Sequence, residues 1–207
     1  LALVGKLSET LTRFVVARNW MTADRAGRIK DEAMARSTVN IAARSRGDEM
    51  RDLVHHLREA GQLTVGLILR ALLSGNLELF DSALVELSGL PANRVAALVY
   101  DGAGTGLNAL LTRAGLPEST FPAFRAALAA RDEIGFIGTV GGAARLRRRM
   151  VERVLTICES DEAASEPLLI LLRRFATESA REEARVFCDE LAEQMETARY
   201  GYDRVAA

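Results

Sequence analysis

Between residues 61 and 117 the chain repeats one piece of punctuation four times. A glycine ends an apolar stripe, and a helix-starting residue follows within three positions: Gly61 then Thr64, Gly75 then Asn76, Gly89 then Pro91, Gly115 then Pro117. Glycine accepts the left-handed backbone that closes a helix. Threonine and asparagine cap a new one with a side-chain oxygen, and proline suits the first turn. The stripes between these stops recur at three- and four-residue intervals, as in Leu77, Phe80, Leu84 and Leu87 or Leu107, Leu110, Leu111 and Ala114. That is the period of helices burying one face, so the expected fold is all-α, built as an antiparallel helix-pair stack, in the manner of HEAT repeats, or as an orthogonal bundle.

Composition agrees with this reading. Alanine and leucine, both strong helix formers, number 33 and 29 among 207 residues, while β-branched and aromatic residues never alternate over a strand length. The chain has a hydrophobic fraction of 49% and a net charge of −1, which excludes a disordered chain and disfavours a freestanding nucleic-acid binder. Arginine outnumbers lysine 25 to 2, which we read as coding bias because acids nearly balance the total. The longest apolar run, Val65 to Leu73, is interrupted by Arg70 and is too short to span a membrane. It should instead be the enclosed helix of the domain.

The remaining segments follow the same logic. Leu3, Leu7, Leu11 and Phe14 mark a first amphipathic helix, Thr22 caps a polar second one, and Met50, Leu53, Val54 and Leu57 line a third. Phe121, Phe124 and Leu128 continue the pattern, which lapses from Arg131 to Gly142, the expected loop or linker. Leu146, Met150, Val154 and Ile157 then line another helix. From Pro167 a long helix carries Leu168, Leu172, Phe175, Ala176, Ala180, Ala184, Phe187, Leu191 and Met195 on one face, and it should either break near Glu178 or project, with its end fraying from Gly201. The stretches "SGNLELFDSALVELSGLP" and "DGAGTGLNALLTRAGLP" suggest a weak internal repeat. The expected organisation is an N-terminal and central region, 1–134, with a C-terminal helical pair, 135–207, in one continuous domain cut from a longer protein.

Recognisable chemistry is scarce. The "GAGTG" turn at 102–106 lacks the preceding strand of a nucleotide fingerprint, and "GTVGGAARLRRR" lacks the Gly-Lys-Ser/Thr of a P-loop. His55 and His56 are adjacent, so they point about 100° apart on a helix and cannot share a metal as an i, i+4 pair can. One should pack at the edge of the core and the other face water. Cys158 and Cys188 lie in apolar stripes and are expected as buried thiols of a reducing cytoplasm. A nucleophile triad would have to recruit His55 or His56, and no Gly-x-Ser-x-Gly elbow presents a serine. Carboxylates such as Glu78, Asp81, Glu86 and Asp101 could converge in space, but acids on the solvent face of helices explain them more simply. The expectation is a noncatalytic protein with no metal site and no cofactor.

Charge is unevenly spread. Residues 1–47 hold nine basic and four acidic groups, and 178–196 hold seven acids and two arginines. The candidate interaction surface is the basic segment between them, formed by Arg145, Arg147, Arg148, Arg149 and Arg153, which reads as a solvated face or a docking surface for an acidic helix. The alternative is nucleic acid or another anionic ligand on the Arg145–Arg149 face, disfavoured by the absence of interleaved aromatics.

The stretch 53–128, with its Leu-Thr, Gly-Asn-Leu and Ala-Gly-Leu-Pro junctions, resembles an alphaproteobacterial family of unknown function, domain of unknown function 2336, and the later "RRRMVERVL" and "LLRRFATESAREEARVFCDEL" are similar to that family's C-terminal part. The resemblance implies a helical cytoplasmic protein, often preceded by a further helical region, and implies no catalytic residue. The expected role is therefore a scaffold or adaptor for an unidentified protein partner, with self-association as a homodimer through the long C-terminal stripe.

Overall fold

The structure is a computed structural model describing residues 2–101, 105–134 and 142–205. Among the described residues it is a bundle of ten α-helices without strands: α1 (Ala2–Ala17), α2 (Ala23–Ala42), α3 (Asp48–Glu59), α4 (Val65–Leu73), α5 (Leu77–Ser88), α6 (Ala92–Tyr100), α7 (Thr105–Arg113), α8 (Phe121–Ile134), α9 (Gly142–Glu159) and α10 (Glu166–Val205), with a 3-10 turn at Glu118–Thr120. Two compact units are formed. One comprises Leu1–Tyr100 with Ala109–Gly115, the other Asp101–Asn108 with Leu116–Ala207, so the division falls inside α7.

In the first unit α4 is the enclosed element. Leu67, Ile68, Leu69, Ala71, Leu72 and Leu73 are all buried, and α2 and α5 pack against it. The helix starts where Thr64 Oγ1 accepts from the Leu67 amide at 3.2 Å, and α5 starts where Asn76 Oδ1 accepts from Leu79 at 3.1 Å. Gly89 ends α5 in the left-handed region, at φ 65° and ψ 17°, which a side chain at that position would resist. The buried face of α5 is rotated slightly from the expected stripe: Leu79, Phe80, Ala83 and Leu84 are buried, whereas Leu77 and Leu87 are only half-buried. Because α3, α4 and α6 all contact α5, its covered arc is wider than one stripe and its centre moves.

In the second unit α9 lies between α8 and α10. Phe124, Ala127 and Leu128 of α8, Val151, Val154 and Cys158 of α9, and Leu168, Leu172 and Phe175 of α10 form its buried side chains. The helix α10 runs unbroken for 40 residues, past Glu178 and through Gly201. No proline interrupts its ladder after Pro167, so it continues after its tertiary packing thins out. Helix α8 persists to Ile134, three residues beyond the start of the expected loop, and the rest of that loop, 135–141, lies outside the described residues, as do 102–104 of the glycine-rich turn.

Two expectations fail on burial. Cys158 is buried but Cys188 is exposed, since it lies on the outward side of α10. His55 and His56 are both exposed, so neither packs at the core edge. Their helix buries Met50, Val54 and Leu57 instead, and positions 55 and 56 fall outside that arc.

Candidate interaction surfaces

The basic segment occupies α9, where α10 lies beside it. Glu183 of α10 accepts from Arg145 Nε at 3.3 Å and from Arg148 Nη1 at 2.8 Å, and Arg148 Nε also donates to Glu152 at 2.7 Å. Hydrogen bonding to Arg148 is the largest influence holding the Glu183 carboxyl below its ordinary range; the glutamate side chain is 20% exposed. The hydrogen bonds to Glu152 and Glu183 in turn raise Arg148 above the usual guanidinium value. An acidic helix therefore docks on these arginines within the chain itself. Arg149 faces solvent, Arg147 is half-buried with its Nε lacking a hydrogen-bond partner, and Arg153 is exposed but engaged.

Two of the candidate carboxylates on α5, Glu78 and Glu86, serve separate contacts. Glu78 accepts from the Gly47 amide at 2.9 Å and lies 3.6 Å from Arg46, while Glu86 accepts from Arg58 and meets His55 Nδ1 at 3.2 Å. Hydrogen bonding to Glu86 is the main cause that raises the His55 pKa above its ordinary value, and Glu59 adds to it. These are clamps that tie α5 to α3 and to the loop before α3. Among the described residues no group of three or more His, Cys, Asp or Glu side chains could hold a metal, and no helix is long and apolar enough to cross a membrane.

A groove of about 420 Å³ lies where α1, α2 and the turn before α4 meet. Glu9, Lys30 and Asp31 bring charge of both signs to its rim, Gln62 and Thr64 add polar groups, and Met34 and Leu67 supply apolar wall.

The more informative surface is on α1 itself. This helix packs on α2 through Gly5, Ser8 and Thr12, which are half-buried; a Cβ on Gly5 would stand 3.8 Å from Met34 Cε. Its large apolar side chains point elsewhere: Leu3 is 84% exposed, Leu7 63%, Leu11 54% and Phe14 47%. Its leucines and its phenylalanine thus face outward, while Val15 and Val16 are half-buried. Trp20 extends the patch, edge-on to Phe14 at 5.6 Å between ring centroids, and Arg18 lies over the Phe14 ring. A second such stripe lies on the distal part of α10, where Phe187, Leu191 and Met195 are exposed. The sequence pattern revealed both stripes but not their direction. The signal that would have given it for α1 is the second, small-residue stripe at Gly5, Ser8 and Thr12, which lets a neighbouring helix approach closely.

Residues 1–163 match the family described as an uncharacterised protein conserved in bacteria, DUF2336, and the chain belongs to that family. The match takes in α1 through α9 entirely and ends before α10. No curated protein and no solved structure matches the chain.

Proposed function

We propose that this member of the DUF2336 family is a noncatalytic helical scaffold or adaptor that binds protein through its outward apolar helix faces. One observation carries the reading: α1 turns its leucines away from the helix that supports it. Burying a leucine fully is worth about 1.5–3 kcal/mol, and a contiguous exposed apolar patch marks an interaction site far more often than scattered exposed residues do. The separate employment of Glu78 and Glu86 in structural clamps supports a noncatalytic role. We further take the chain to be a cytoplasmic protein of an alphaproteobacterium, which the family resemblance of its Leu-Thr and Ala-Gly-Leu-Pro junctions implies.

The test is affinity capture with the native protein and with Leu7→Glu/Leu11→Glu, followed by titration of each identified partner in purified form. The proposal expects at least one partner whose binding is lost in the variant while helix content is kept. Partners that bind both forms equally, or none at all, overturn it. The anionic-ligand reading of the Arg145–Arg149 face has less support, because Glu183 already engages Arg145 and Arg148. It predicts steeply salt-dependent binding of a nucleic-acid or polyphosphate probe, abolished by Arg147→Ala/Arg149→Ala.

A further inference from the structure

We infer that the outward face of α1 docks antiparallel on the distal stripe of α10 from a second copy of this chain. The inference rests on the protein-binding reading above and names its partner.

The two stripes match in spacing. On α1 the apolar positions advance by four, four and three residues, from Leu3 to Leu7, Leu11 and Phe14; on α10, read backwards from Met195, they step by four, four and three through Leu191 and Phe187 to Ala184. Laid antiparallel, Leu7 comes level with Leu191 and Leu11 with Phe187. The outer pairs are then Leu3 with Met195, and Phe14 with the small Ala184. The bulkiest side chain of the α1 stripe thus meets the smallest of the α10 stripe, as packing of side chains into spaces requires.

Charge selects the same arrangement. At about 100° per residue, Lys6 and Arg13 fall on one flank of the α1 stripe, roughly 95–115° before its centre. Glu183 and Glu190 fall on the corresponding flank of the α10 stripe, roughly 85–105° before its centre. Corresponding flanks meet when two helices run antiparallel, whereas parallel packing would bring opposite flanks together. Both pairs are also seven residues apart in sequence, so a single register serves both. In the register fixed by the leucines, Lys6 lies within two residues of the level of Glu190, about 3 Å along the axis, and Arg13 stands likewise to Glu183. Glu183 is already held by Arg145 and Arg148, and Arg13 lies 3.7 Å from Glu9, so Lys6 with Glu190 is the pair that discriminates. The basic balance of residues 1–47 and the acidic balance of 178–196 extend the complementarity beyond these positions.

The contact joins two different surfaces, so it either closes reciprocally into a twofold dimer or propagates. Sedimentation across protein concentration reads the association. We expect Leu7→Glu, and separately Leu191→Glu, to weaken it at least about tenfold, as the loss of one buried leucine implies. Lys6→Glu should weaken it, and adding Glu190→Lys to the same chain should restore it. Two chains, one carrying Leu7→Cys with Cys188→Ser and the other Leu191→Cys with Cys188→Ser, should form a mixed disulfide-linked dimer on oxidation. A chain that stays monomeric at every concentration, charge reversal without rescue, or absence of the mixed disulfide overturns the inference. Those failures leave the adaptor proposal standing if Leu7→Glu/Leu11→Glu still loses a different, identified protein.

Discussion

Arg148 of α9 donates to Glu183 of α10 at 2.8 Å, and the same carboxylate accepts from Arg145 one turn earlier on α9. Because the folded Glu183 is held below its ordinary range, this clamp contributes stability above the unfolded carboxylate value and loses it as pH falls through the depressed one. Glu183→Gln should therefore lower the melting temperature at neutral pH and flatten its decline in acid, with a smaller difference in high salt. Thermal melts at several acid pH values check this. Equal acid sensitivity in the native and variant proteins would show that the clamp is energetically silent.

His55 faces the opposite pH window. Glu86 and Glu59 raise its folded pKa above the ordinary 6.5, so its pairing stabilises the α3–α5 contact below that value and fades as pH rises through the raised one. The native protein should lose melting temperature as pH rises from the ordinary imidazole value through the raised one, and His55→Gln should lose less over the same rise. The effect is small because the pair is exposed. NMR titration of the His55 ring, compared with that of His56 in the same spectrum, gives the direct reading.

Much of the fold was legible because its signals are local. Thr64, Asn76 and Gly89 act over one turn of helix, and each performs the capping role that its identity and position imply. Burial direction is not local in the same way. Phe14 and Phe124 both sit in stripes of helical period, yet one is exposed and the other is buried, because three elements meet around α8 and α9 while α1 has α2 alone as its principal neighbour. The arginine cluster was legible as a docking surface for an acidic helix. That the acid would come from position 183 of the same chain depends on the α9–α10 turn, whose closure brings residues 35 apart in sequence into contact.

The two thiols should be separable by reactivity. Burial pushes the Cys158 thiol up to about 11, with Asp161 adding to the effect, so thiolate is nearly absent there at neutral pH and access is closed as well. Cys188 is exposed. An aromatic disulfide reagent should modify one thiol per chain rapidly in native protein and the second only after denaturant is added, with Cys188→Ser removing the fast phase. Two fast equivalents would contradict the packing of α9 against α8 and α10.

The outward leucines of α1 make a sharper demand on stability measurements than the core does. Phe80 is fully buried in α5, and Phe80→Ala should cost about 3–5 kcal/mol through lost transfer energy and the cavity left behind. Leu7 keeps 63% of its surface exposed, so Leu7→Ser removes little folded-state contact and should change stability by no more than about 0.5–1 kcal/mol, most of it helix propensity. Urea unfolding followed by circular dichroism measures both, at a protein concentration low enough to suppress association. A loss at Leu7 as large as at Phe80 would mean that the leucine is spent on this chain's own fold. A near-silent Leu7→Ser that nonetheless abolishes binding would separate the residue's role in folding from its role in recognition, which is what an apolar side chain turned away from its own helix partner should do.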